Sequence, residues 1–236
     1  MSYLSYISDD DLENAVQIVV NCIRQVQAKP ATSIYKNVID PFSAIFDGVV
    51  EGTSFVDWLN KEKIRQNQKT VQNAIGAFHQ SIIGSITGWQ NLKTGKNIDV
   101  CNLNLKIIAE IKNKHNTVKG SDRTVIYDTL LHALQLPNYQ GFTAYYVEII
   151  PKKDINNIFY NRPFTPSDNK TKIKRPQNSS ILIIDGCSFY DLATGVPKSL
   201  HMLFDVLPDV ISKVAGVRGL SQAEKAQFKE LFDRAY

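Results

Sequence analysis

Leu12, Ala15, Val16, Val19, Val20 and Ile23 recur at the three- and four-residue spacing of one helical face, behind Ser8 and the acidic turn Asp9-Asp10-Asp11. A capped helix is therefore predicted over residues 9–28. Pro30 ends it, and Asp40-Pro41 opens a short helix through Ala44, Ile45 and Phe46. Residues 55–66 read as one amphipathic helix. Residues 70–86 read as a second, with Val71, Ala74, Ile75, Phe78, Ile82 and Ile83 as its apolar stripe and Gly76 and Gly84 permitting a close neighbour. The period then changes. Residues 106–112, 142–150 and 181–184 are β-branched or aromatic runs bounded by turn residues and read as strands. Between the first two lies a helix over residues 123–136, capped by Ser121-Asp122, with Val125, Ile126, Leu130, Leu131 and Leu134 as its apolar face. Helices starting near Pro197 and after Ser221 close the chain. Strand, helix and strand in succession make a parallel crossover, so the pattern predicts an α/β fold: a mixed central β-sheet flanked by helices, with extra N- and C-terminal helices.

The stretch from Asn97 to Arg123 carries the candidate chemistry. Asp99 precedes a turn at residues 102–104, and the strand after that turn alternates its side chains between two faces. Glu110 and Lys112 share one face, and a hairpin brings Asp99 toward them. Two carboxylates with an open coordination sphere suit Mg²⁺, which takes oxygen ligands and keeps room for substrate phosphates. A lysine beside them can offset charge that grows on a phosphate. On this reading Asp99 and Glu110 hold the metal, with the Ile111 carbonyl as a further ligand, and Lys112 orients the attacking water.

The same residues carry a family resemblance. Asp99, Glu110 and Lys112 match the D…ExK core of the PD-(D/E)xK nuclease superfamily. The longer run AEIKNKHNTVKGSD, preceded by GAFHQSIIGSITGW, resembles type II restriction endonucleases of the group that cuts GGNCC- or GGWCC-type sites. Ile98 stands where the superfamily often has proline. The resemblance spans roughly residues 73–151 and implies sequence-specific, Mg²⁺-dependent hydrolysis of double-stranded DNA. In that fold the helix before the hairpin can add a polar group to the site; here the place is held by His79 and Gln80. Gln80 is read as a candidate to position a water, against the alternative of a surface amide, and His79 as a core residue. The whole of residues 1–236 is expected to form one endonuclease domain: a helical N-terminal part (1–69), a catalytic core (70–151), and a basic excursion, strand and C-terminal helices (152–236).

Charge adds the substrate track. The net charge is only +4, yet residues 106–123 hold five basic against two acidic side chains, and residues 152–175 seven against two. The polar loop after Lys112 supplies Asn113, Lys114, His115, Asn116, Thr117, Lys119, Ser121 and Arg123 as DNA-contact candidates, and the excursion adds Lys172 and Lys174. A solvated basic face is the alternative for both. Asp185 reads as a turn acid bonded to local amides, while Glu148 can face either side of its strand. No apolar run is long enough to span a membrane, three widely spaced cysteines argue against a disulfide framework, and a cytoplasmic protein is expected. Cutting both strands of a near-palindromic site suits a homodimer. A repair or junction nuclease with the same core, or a DNA-binding protein without catalysis, remains as the competing reading.

Overall fold

The computed structural model describes residues 2–92, 98–117, 120–152, 161–168 and 170–236, with the side chains of residues 31, 120 and 121 left aside. Helix α1 (Asp9–Ala28) starts where Ser8 accepts the Asp11 amide, and it buries Leu12, Ala15, Val16, Val20 and Val26. A short 3-10 turn (Ala31–Lys36) leads to α2 (Pro41–Val50), capped by Asp40. Next comes α3 (Phe55–Gly84), a single helix of 30 residues. The two helices expected over residues 55–66 and 70–86 are thus one. Residues 67–69, Asn-Gln-Lys, contain neither proline nor glycine, so nothing in the backbone interrupts the ladder. The last part of α3 enters the core beneath the sheet through Phe78, Ile82 and Ile83, while Trp58 near its start is buried apart from that cluster. At its end Gly84 is required: a Cβ there would lie 2.5 Å from that of Asn91.

Strands β1 (Trp89–Asn91), β2 (Val100–Asn102) and β3 (Ile107–Lys114) form an antiparallel meander. Helix α4 (Gly120–Gln135) then crosses to β4 (Thr143–Ile150), which pairs parallel to β3 as the crossover requires. The buried stripe of α4 is Thr124, Tyr127, Leu130 and Ala133, whereas Val125 is exposed. Of the expected face Leu130 is buried and Ile126, Leu131 and Leu134 pack on the same core; Val125 alone faces out, while Tyr127 packs inward and sends its hydroxyl to the Pro176 carbonyl at 2.7 Å. The excursion after Pro151 contributes β5 (Asn161–Pro163), antiparallel to β6 (Ile181–Asp185). Helices α5 (Gly186–Thr194), α6 (Ser199–Ala215) and α7 (Gln222–Ala235) follow. The sequence pattern assigns no element to residues 186–194. They form a helix because Asp185 accepts the Ser188 amide as its cap.

The described strands make one mixed sheet in the order β1-β2-β3-β4-β6-β5. One face, bearing Ala109, Ile111, Val147 and Ile149, packs against α1, α3, α5 and α6. The other, bearing Ile108, Ala144, Tyr146 and Ile183, packs under α4 with Tyr127 and Leu130. Because side chains alternate along each strand, Glu110 and Lys112 belong to the α4 face, as do Glu148 and Asp185. Register makes that row continuous: Lys112 pairs with Glu148, and Glu148 with Asp185. Among the described residues no helix is long and apolar enough to cross a membrane.

Candidate active site

The site begins with the backbone around Asp99. Its carbonyl accepts the Leu92 amide at 2.8 Å, and its own amide donates to the Ala109 carbonyl at 3.0 Å, so the residue is tied to β3 just before β2 begins. From there the Asp99 Oδ2 accepts the Ile111 amide at 2.7 Å. That bond sets the carboxyl beside Glu110. Lys112 Nζ donates to Glu110 Oε1 at 2.5 Å, and Gln80, on α3, lies close enough to Asp99 to favour its charged form slightly. Two backbone elements and one long helix therefore converge on a single patch. Ile111 sends its side chain into the opposite core and offers only backbone.

Electrostatics show what this arrangement lacks. Burial raises the pKa of Asp99, against the lowering effects of the Ile111 amide and Lys112. Glu110 is pushed up to about 6, first by burial and then by the Asp99 charge, with Lys112 opposing. Two carboxylates drawn out of water at close range hold their protons more tightly, and added positive charge relieves this. Lys112 offsets part of the effect. Among the described residues no group of three or more His, Cys, Asp or Glu side chains converges as a metal cage. What converges is a carboxylate pair with an amide and an ammonium, an oxygen-rich donor set with open positions.

Beyond Lys112, Asn113 packs over Gly76 of α3. The strand ends at Lys114, whose carbonyl accepts the Thr117 hydroxyl at 2.6 Å and the Thr117 amide at 3.1 Å, closing a turn. Asn116 and Thr117 are exposed there. His115 is anchored by its amide to the Ile150 carbonyl at 3.0 Å, with Nδ1 buried and unpartnered among the described residues. Lys119 and the Ser121 side chain lie outside the described residues. Lys172 and Lys174 are exposed on a small turn where Asp168 accepts the Lys170 and Thr171 amides, each at 2.8 Å. Arg175 pins that turn to α4 through Asp128 at 2.6 Å. These two lysines are thus near the helix that carries Arg123, and the structure ties neither of them to the carboxylate pair.

Arg123 is where the structure adds most. Its guanidinium donates to Glu148 Oε1 at 2.7 Å and stacks over the rings of Tyr146 and Phe164, at 5.3 and 5.5 Å from their centroids. Burial raises the pKa of Glu148, opposed chiefly by Arg123. This pair stands next to Lys112 in the strand register. Sequence reasoning left the face of Glu148 open, because FTAYYVEII is apolar on both sides and its alternation carries no sign. Asp185 bonds a local amide as expected, but as the buried cap of α5 and not in a turn: Oδ1 accepts the Ser188 amide at 3.0 Å. His79 is buried, shares a 2.8 Å hydrogen bond with the Tyr190 hydroxyl, and is pushed down to about 4 by burial, so it is a neutral core residue.

Comparison with known proteins adds lineage to this geometry. A family model described as the Eco47II restriction endonuclease matches residues 4–216. The chain is 40% identical over 242 aligned residues to the type II restriction enzyme Eco47II of Escherichia coli, covering 100% of both. It is 30% identical over 235 residues to the type II restriction enzyme Sau96I of Staphylococcus aureus, covering 99% of this chain and 89% of that enzyme.

Proposed function

This chain belongs to the Eco47II restriction endonuclease family, and from that premise we propose that Asp99, Glu110 and Lys112 form the site at which it hydrolyses phosphodiester bonds of double-stranded DNA. The observation that carries the reading is a carboxylate pair partly withdrawn from water: Asp99 and Glu110 both hold their protons more tightly than free carboxyls do. Such a pair is unfavourable by itself and favourable around a divalent cation. Mg²⁺ fits the oxygen donors present, with Asp99, Glu110 and the Ile111 carbonyl as its holders. When bound, it supplies positive charge to the phosphate oxygens and makes an adjacent water more acidic.

The chain's own residues divide the remaining work. Lys112, held by Glu110, presents an ammonium that offsets the charge growing on the phosphate as water adds and a P–O bond breaks. Gln80, on α3 near Asp99, is the candidate to position a water at the site. Asn113, Lys114, His115, Asn116, Thr117, Lys119, Ser121 and Arg123 border the duplex, with Lys172 and Lys174 reaching backbone phosphates farther out. In this reading the core is of the PD-(D/E)xK type, residues 1–236 act as one endonuclease domain, and the target is a GGNCC- or GGWCC-type site. The enzyme works as a homodimer in the cytoplasm, where its substrate is.

The test is incubation of the purified protein with plasmid DNA and Mg²⁺, followed by sequencing of the new ends. Ends at one short duplex sequence are expected. Ends at branched structures would assign a junction nuclease. Binding without cleavage under every divalent metal would leave a DNA-binding protein.

A further inference from the structure

Helix α2 is a formed helix with no core. Asp40 caps it by accepting the Phe42 and Ser43 amides at 3.0 and 3.3 Å, and Pro41 starts its first turn, yet it buries no residue. Phe42, Ile45, Phe46, Val49 and Val50 are each between 65% and 80% exposed. Phe55 and Val56, at the start of α3, are exposed to a similar degree. Asp47 is the helix's one charged side chain, and it accepts the Trp58 indole N–H at 3.3 Å, which fastens α2 to α3. A ten-residue helix gains little stability in water from its backbone alone. Monomers also rarely leave apolar patches beyond a few hundred Å² uncovered.

We propose that this face is where a second copy of the same chain docks, across a two-fold axis; the inference rests on the dimeric reading above and places its interface. Area is the first reason. Seven apolar side chains, three of them aromatic, at this exposure present on the order of 800 Å², which is what one partner contributes to a standard stable interface. Charge is the second. The interior of a protein interface is depleted of charged groups, and α2 carries none besides the engaged Asp47. A duplex would find no cation on this helix, and a membrane surface would require a basic rim that it lacks. Position is the third. From Phe55 to Gln80, α3 runs about 38 Å at 1.5 Å per residue, so docking at α2 leaves the carboxylate pair open to DNA while a continuous helix connects the two.

Sedimentation velocity of the full chain at micromolar concentration, without DNA, tests this. Wild type is expected to sediment as a dimer. Phe46→Asp with Val49→Asp is expected to give a folded monomer with an unchanged circular dichroism spectrum. Phe42→Ser with Val49→Ser, which adds no charge, is expected to weaken association. Leu231→Lys, at an exposed apolar position on α7, should leave the dimer intact. On supercoiled plasmid the monomeric variant should accumulate nicked circles where wild type gives linear product. A wild-type monomer, an α2 double variant that remains dimeric, or association only with a different protein overturns the proposal. If wild type dimerises through α2 but cuts no DNA, the docking inference stands and the nuclease reading falls.

Discussion

Asp99 Oδ2 accepts the amide of Ile111 at 2.7 Å, so the first carboxylate of the site is held by the backbone between Glu110 and Lys112. The bond makes the site self-aligning. It also means that removing Asp99 has a structural cost separate from chemistry.

Asp99→Ala and Asp99→Asn are expected to separate these two effects. Both should lower cleavage by more than about a hundredfold, since loss even of an outer partner of a metal ligand costs up to that much. Only Asp99→Ala leaves the Ile111 amide without its acceptor, at about 1–3 kcal/mol of stability. Denaturant unfolding beside single-turnover cleavage checks both. An Asp99→Asn enzyme of normal activity would remove Asp99 from the site.

Lys112→Arg is expected to fold and bind DNA while losing about a hundredfold or more in cleavage rate. Lys112 lies about 7 Å along the strand from Glu110, at two residue rises, so its compact ammonium folds back onto the carboxylate. Arginine keeps the charge but brings a wider planar fork. Near wild-type cleavage of a bound duplex would reduce Lys112 to a distant counter-charge.

Glu148 and Arg123 form a pair of unequal exposure, with side chains 1% and 28% accessible. Glu148→Ala leaves the guanidinium against Tyr146 without its counter-ion and should cost about 3 kcal/mol. Glu148→Leu combined with Arg123→Met should recover much of that loss, because a well-packed apolar pair often replaces a buried ion pair without penalty. Additive losses in the two single variants and the double variant would show that the pair is not coupled.

Glu110 predicts a pH signature for the metal-free protein. Its folded pKa is raised from 4.5 to about 6, so the folded state holds that proton more tightly than the unfolded chain does. The resulting stability is complete below pH 4.5 and is lost as pH rises through about 6. The full loss is about 2 kcal/mol. Thermal unfolding in chelator, wild type against Glu110→Gln, should show the wild type losing ground over this window. A difference that does not change with pH would contradict the close pairing of the two carboxylates.

The chain's local patterns were enough for the hairpin and for the grouping of its charged side chains. Period-two alternation places Glu110 and Lys112 on one face regardless of what surrounds the strand, and a short turn returns Asp99 to it. The strand–helix–strand order determined the parallel β3–β4 pair in the same way, since so short a crossover has few alternatives. The inward place of Tyr127 on α4, the continuity of α3 and the helix at residues 186–194 were not settled locally. Each depended on what packs against it: Tyr127 turned inward to reach Pro176, α3 ran on past the core, and Asp185 found an amide to cap.

Glu148 marks the boundary most sharply. In a strand buried on both faces every neighbour is apolar, so its sequence contains nothing to say which way the one acid points. Only the register of β4 against β3 and β6 sets it beside Lys112 and under Arg123. Periodicity belongs to a segment and can be read along it. Register is a relation between segments far apart in the chain, fixed by the burial of many side chains at once, and it exists only once the sheet has formed.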